Sequence, residues 1–362
     1  MLSYDIGITE VNTQVRRLGY VSAILTILGS RTLSETLLFD RLEEWSKNHE
    51  HDLSAHANQQ GLIKRTRQKS GARRYTEFVL ALGLIGKVAG AYRVTRFGKT
   101  LLPFLGPGGG FELGLAECLS YLYWLFVKDG DRLCTVLDML TETQYQPLSL
   151  LQRNFQDRYL HRLSVRLSME EGRVAREVLT ARNRVSRDWK NPRRYAENIV
   201  PPRIHWLTDL GIVHIVEGVR GKPTGLTEQG SLLMTALPMS LGDDRAYFSP
   251  SWNRKGFFGI AAPIMDRNPG RRWCSLSHEK DGYLDALMPR AFSTLRSSPA
   301  PKVSLYPLLI HMALLLAADM HIWANIEELQ NDLDAYSRKP NSMYEVRFSH
   351  RENEAYLISK PI

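Results

Sequence analysis

Residues 61–104 read GLIKRTRQKSGARRYTEFVLALGLIGKVAGAYRVTRFGKTLLPF, and residues 194–237 read RYAENIVPPRIHWLTDLGIVHIVEGVRGKPTGLTEQGSLLMTAL. The two stretches share one grammar. Each holds a helical pattern that ends on Leu-Gly, at Leu82-Gly83 and Leu210-Gly211. A short apolar strand follows, then a turn bearing glycine and a second strand. That strand closes on a threonine placed three residues before a glycine, Thr95 to Gly98 and Thr227 to Gly230. The copies lie about 130 residues apart, so the chain carries a duplicated module rather than a short solenoid repeat.

Working outward, 11–29 has apolar residues at helical spacing (Val15, Leu18, Val21, Ile24, Leu25, Leu28), with Gly29 as its stop. A second helix is expected over Ser34–Trp45, capped by Ser34, with Leu37, Leu38 and Leu42 as its apolar stripe. The third runs from about Ile63 or Gly71 to Leu82 and buries Tyr75, Phe78, Val79 and Leu82. Strands at 84–89 and 91–95 turn at Gly90. Phe104–Gly110, FLGPGGG, reads as a linker. Helices are expected over Leu115–Val127 and Arg132–Leu140, with Asp129-Gly130-Asp131 as a turn between them, and then over a long pattern at 149–180. In the second copy a third helix is expected over Asn198–Leu210, interrupted at prolines 201 and 202, which suit a helix start at Pro202, and strands follow at 212–216 and 224–227. Residues 238–280 look irregular. Helices at 282–296, 304–320 and Ala324–Tyr336, then strands at Tyr344–Phe348 and Ala355–Ile358, repeat the order helix, helix, hairpin.

Charge is unevenly spread. The chain of 362 residues has a formal net charge of +9. Between 61 and 104 ten cations face a single acid, Glu77; between 151 and 194 twelve cations face five acids. The remainder is net acidic. Two basic blocks on an otherwise acidic protein point to a polyanionic partner, or to a solvated charged face. Arg158, Arg162 and Arg166 step by four along the flank of an apolar seam, where they either track a phosphate backbone or stand in water.

Reaction chemistry is not legible. There is no phosphate-binding Gly-x-x-x-x-Gly-Lys loop, no Gly-x-Gly-x-x-Gly and no Gly-x-Ser-x-Gly. The polar cluster His49, His51 and His56 lacks the thiols or carboxylates that would complete a metal site. A metal-dependent nuclease core would need Asp266 with the run His278-Glu279-Lys280-Asp281, whose adjacent Glu and Lys would point to opposite faces of a strand. No catalytic residue, metal or cofactor is therefore expected, and the chain reads as a non-enzyme. Three scattered cysteines, Cys118, Cys134 and Cys274, fit reduced thiols. With no basic start followed by an apolar run, and no span beyond the interrupted stretch Val303–Met320, a cytoplasmic protein away from membranes is expected.

The two copies resemble the winged helix-turn-helix superfamily of bacterial and archaeal regulators, where helix, Leu-Gly, hairpin and Thr-x-x-Gly recur in this order. The resemblance covers 12–104 and part of 194–237, about a third of the chain. It implies a mainly α fold with small β-hairpin wings (α+β), made of two winged-helix modules joined by a helical middle, with a degenerate third compatible with the C-terminal order. The corresponding division is 1–105, 106–190, 191–240 and 241–362, with helices from 149 available to complete the second module. In such folds the third helix reads the major groove and the wing touches backbone or minor groove. Carried over, this selects Lys64, Arg65, Arg67, Lys69, Arg73 and Arg74 with Arg93 in the first copy, and Arg203, Arg220 and Lys222 in the second. The charge pattern adds Arg96, Arg158, Arg162, Arg166, Arg193 and Arg194. The implied partner is DNA, as duplex, with other protein subunits or a homodimer compatible. The implied role is DNA recognition within a multi-protein prokaryotic system (defence or DNA modification) or transcription regulation. A protein-binding scaffold and the recognition part of a nuclease stay open as alternatives.

Overall fold

The computed structural model describes residues 14–54, 62–106, 110–216, 219–237, 256–296 and 301–360. The fold is mainly helical with small antiparallel sheets, and its elements fall into three units. Unit one comprises α1 (Gly19–Leu28), β1 (Leu33–Ser34), α2 (Glu35–Asn48), α3 (Glu50–Ser54), α4 (Ser70–Leu82), the hairpin β2 (Ile85–Val88) and β3 (Ala91–Val94), and α5 (Arg96–Lys99). Unit two has α6 (Leu115–Thr141), β4 (Gln146–Pro147), α7 (Leu148–Met169), α8 (Gly172–Asn183), α9 (Pro192–Asp209), β5 (Val213–Ile215), β6 (Pro223–Leu226) and α10 (Glu228–Ala236). After α11 (Phe257–Met265) and β7 (Arg271–Arg272), unit three has α12 (Lys280–Leu295), β8 (Lys302–Ser304), α13 (Leu305–Met320), β9 (Ile322–Trp323), α14 (Ile326–Ser337), β10 (Tyr344–Ser349) and β11 (Glu354–Ser359).

The topology is the same three times. The strand after the first helix pairs with the last strand of the hairpin, giving the orders β1-β3-β2, β4-β6-β5 and β8-β11-β10. All of these pairings are antiparallel. The short strands β7 and β9 pair in parallel beside unit three.

The repeat in the sequence has a physical cause. Gly83 and Gly211 end α4 and α9 at φ of 79° and 72°, which side chains with a Cβ rarely adopt. The chain then turns back, so that Leu84 N–H donates to Val79 O and Ile212 N–H to Leu207 O. Thr95 Oγ1 donates to Gly83 O at 2.8 Å, and Thr227 Oγ1 to Gly211 O at 2.7 Å. Each threonine also caps the next helix by accepting from the glycine three residues on, at 3.2 Å for Gly98 and 3.0 Å for Gly230. Those glycines sit so close to the preceding strand that a Cβ would meet Leu84 O at 2.2 Å or Ile212 O at 2.1 Å. The Thr-x-x-Gly signature is thus a clasp between hairpin and helix, built twice with matching atoms.

One core runs through all three units. Helix α6 lies at its centre, with Tyr121, Leu122, Tyr123, Trp124, Leu125 and Phe126 all buried. Phe97 of unit one packs edge-on against Trp124 at 4.9 Å, and the Tyr123 hydroxyl bonds that of Tyr306 in unit three. Phe78 of α4 stacks on Trp206 of α9 at 4.7 Å. Arg17 pairs with Asp209 at 2.6 Å, and Trp206 Nε1–H donates to Val15 O at 3.0 Å. Buried aromatic side chains contribute roughly 1.5–3 kcal/mol each, so these seams join the units firmly.

Several expectations need correction. Helix α1 starts at Gly19, with residues 14–18 ahead of it and 11–13 outside the described residues, and Val15 and Leu18 are buried as expected. Leu37 is exposed while Leu38 and Leu42 are buried. The turn at Asp129-Gly130-Asp131 is a kink within α6, at Asp129 (φ −142°, ψ 18°). The pattern at 149–180 breaks after Met169 and resumes at Gly172, whose φ is +62°. Helix α9 begins at Pro192, capped by Asn191, and carries Pro201 and Pro202 in its interior. Phe257–Met265, read as irregular, is a largely buried helix. His56, residues 107–109 of the linker and residues 238–255 of the stretch expected to be irregular lie outside the described residues.

Candidate nucleic-acid interface

The first basic block is presented on a pinned loop. Ile63 N–H donates to the Tyr20 hydroxyl at 2.9 Å, and Ser46 Oγ donates to Ile63 O at 2.9 Å. With Ile63 buried, Lys64, Arg65 and Arg67 follow in exposed positions. Lys69 takes the left-handed conformation before α4 (φ 49°) and pairs with Asp40. In α4, Ala72, Tyr75, Phe78, Val79 and Leu82 form the buried stripe, and Arg73 is exposed. Arg74 is half-buried and donates to Gln14 Oε1 at 2.5 Å. Arg93 stands exposed on β3 opposite Gly86. Lys87 beside it pairs with Glu35 at 2.6 Å, which holds that carboxyl below its usual range.

In unit two the exposed cations lie at the start of α9 and in the hairpin. Arg193 and Arg194 occupy the first turn of α9, with Arg193 near Glu197 at 3.3 Å. Arg220 is exposed in the β5–β6 turn, and Lys222 is half-buried at its base with φ of 46°. Exposed Arg173 and Arg176 on α8, with Arg187 and Lys190 between α8 and α9, extend this surface beyond the residues selected from the sequence.

Electrostatically, α4 and α9 begin at the wrong end. Neither has an acid in its first turn, and both have cations there or just before it. The helix macrodipole already makes that end positive, and a cation there costs about 0.3–1 kcal/mol. Helix α14, at the same place in unit three, begins with Glu327 and Glu328 instead, and Glu328 accepts from Asn325 N–H at 3.2 Å.

Five further selected arginines are also engaged within the protein. Arg162, Arg166 and Arg203 are buried, at 2%, 1% and 1% exposure, and present nothing to a partner. They belong to a charge cluster at the α6 kink. Arg203 Nε lies 2.7 Å from Asp129 Oδ2, and Arg162 NH1 donates to Asp138 at 2.9 Å. Arg166 pairs with Asp131 and, at 3.2 Å, with Glu170. Arg132 lies 3.3 Å from Asp129 and over the Tyr159 ring. The seam of α7 is therefore wider than its apolar residues suggest, because α6 supplies carboxylates opposite the arginine row. Arg158 is exposed and pairs with Glu142. Arg96 bonds Glu354 at 2.6 Å and Ser304 at 2.7 Å, joining units one and three.

The acids weighed for nuclease chemistry are scattered. Asp266 accepts from His321 at 2.8 Å, Glu279 pairs with Arg271 at 3.2 Å, Lys280 with Asp332 at 2.9 Å, and Asp281 with Lys339. Lys280 and Asp281 open helix α12 rather than lying on a strand. Among the described residues no group of three metal-ligating side chains converges, and no helix is long and apolar enough to cross a membrane.

Sequence reasoning did not single out Arg16 or His205. Arg16 NH1 donates to His205 Nε2 at 3.3 Å across units one and two. Arg16 precedes α1 and His205 lies within α9, both outside the two basic blocks, so only the tertiary contact reveals them. No family model matches the chain, and no curated protein or solved structure matches it either.

Proposed function

We propose that the three units are winged helices and that the chain is a non-enzymatic DNA-binding protein, contacting duplex through units one and two. The order helix, strand, helix, helix, hairpin, with the first strand paired to the last, supports the winged-helix reading. The observation that carries the functional reading is the cationic start of both α4 and α9, set beside the exposed run Lys64, Arg65 and Arg67. A phosphate placed there gains the helix N–H groups, the dipole and the arginines together. Surface contacts on this reading are Lys64, Arg65, Arg67, Arg73, Arg93, Arg193, Arg194, Arg220 and Lys222. Unit three takes the protein-facing role, because α14 is acidic and Phe348 and Met343 are exposed, at 53% and 56%.

The test is fluorescence anisotropy with a labelled duplex across a salt series. Affinity should fall steeply, with a log–log slope of about −0.9 per phosphate contacted. The variant Arg65→Ala/Arg67→Ala/Arg73→Ala should flatten that slope and weaken binding on every sequence, at an unchanged melting temperature. No duplex binding at low salt would overturn the reading in favour of the scaffold.

A further inference from the structure

The geometry points to a phosphate-binding pocket at the junction of units one and two, formed by Arg16, His205 and Lys222. This goes beyond the DNA-binding reading and rests on it only for the source of the phosphate. The pocket has a volume of about 240 Å³, and its lining also includes Gln152, Glu197 and Thr224. That is smaller than drug-sized ligand sites, and suits a compact oxyanion.

Its walls come from separate elements. Arg16 precedes α1, Gln152 is on α7, His205 and Glu197 are on α9, Thr224 is on β6, and Lys222 lies just before β6. Three nitrogen groups and one carboxylate thus share the cavity, and the carboxylate, Glu197, is itself near Arg193 at 3.3 Å. Arg17 lies behind, neutralised by Asp209 at 2.6 Å. Burial and these cations both act on the imidazole. Burial first, then Arg16, Arg17 and Lys222, depress the His205 pKa to about 3. Burial likewise lowers that of Arg16. An incoming dianion offsets the part of both effects that comes from neighbouring cations, and Arg16 and Lys222 supply charge-assisted donors to its oxygens.

Position adds a reason for phosphate in particular. Arg74 of α4 donates to Gln14, two residues from Arg16, and Arg220 lies two residues from Lys222. The pocket therefore sits between the helix cations of unit one and the hairpin cations of unit two. The same chemistry admits either a phosphate of the nucleic-acid backbone or the phosphate group of a small ester.

The experiment titrates inorganic phosphate into the full chain carrying ring-labelled histidine. The His205 signal is assigned by its loss in His205→Gln. Phosphate should move that signal saturably, chloride at equal ionic strength should not, and Lys222→Met should weaken the response roughly tenfold, as expected for losing a charge-assisted bond. Arg16→Gln serves as a second variant, with circular dichroism checking that each stays folded. An unmoved His205 signal, or one moved equally by chloride, overturns the pocket whatever the DNA assay shows. If saturating duplex blocks the phosphate response, the pocket takes a backbone phosphate; if it does not, the pocket serves a small phosphate ester, and both results support it.

Discussion

Asp129 anchors the buried charge cluster of α6, α7 and α9. It is buried at the kink of α6, with Arg203 and Arg132 both against its carboxylate. Buried ion pairs add little net stability, because desolvation offsets their attraction, but removing one partner leaves a stranded charge. Asp129→Asn should therefore destabilise the protein by about 3–5 kcal/mol in urea unfolding, whereas Arg158→Ala, at an exposed pair, should cost under about 1 kcal/mol. Equal midpoints for the two variants would refute this account of the cluster. The same residues show where sequence patterning stops being informative. An arginine row at i, i+4 looks the same whether it faces water or a carboxylate on another helix. Asp131 and Asp138 lie more than twenty residues from Arg162 in the chain, so nothing local marks the pairing.

At the scale of elements, the Thr-x-x-Gly clasp was readable because it is local and nearly obligatory. A glycine that must end a helix at positive φ, and another that must let a carbonyl approach, leave few residue choices. Gly98→Ala and Gly230→Ala should each destabilise by about 1–3 kcal/mol, since the carbonyls of Leu84 and Ile212 cannot move without disturbing the hairpin. Gly90→Ala would meet nothing within 4 Å, and loses only the freedom of its positive φ. Thermal melts rank the three, and a melting loss at Gly90→Ala matching that at Gly98→Ala would contradict the clasp. The start of α9 was not readable for a related reason. Pro201 and Pro202 look like a beginning, yet Asn191 caps the helix with Pro192 in its first turn, and tertiary packing around the buried Pro201 and Pro202 overrides the local preference. Of the candidate interface, the exposed run Lys64–Arg67 was legible from composition, while Arg16 and His205 became visible only when separate units met.

Over the whole molecule, acid acts through histidines buried as neutral rings. His311 donates through Nδ1–H to Thr100 O at 2.8 Å, joining unit three to unit one, and burial lowers its pKa to about 4. His205 is lowered further, to about 3. A folded pKa below the unfolded value of about 6.5 means that the unfolded chain binds protons first. The stability present above pH 6.5 is thus lost as pH falls towards 4, and His311 alone accounts for a decline of roughly 3 kcal/mol at about 1.4 kcal/mol per unit. Urea midpoints measured from pH 7 to 4 should follow this decline, and His311→Gln should flatten it. A wild-type midpoint constant across that range would rule the mechanism out.

The stacking of Phe78 on Trp206, reinforced by Arg17 on Asp209, joins α4 to α9 through rigid groups rather than through a tether. Domains strung on a flexible linker can straddle targets of many spacings and gain by avidity. Two cationic helix ends fixed to one another behave as a caliper. On the proposed reading, a duplex whose phosphates match that one span is gripped at both jaws, and inserting a few base pairs between the gripped positions rotates one of them out of reach.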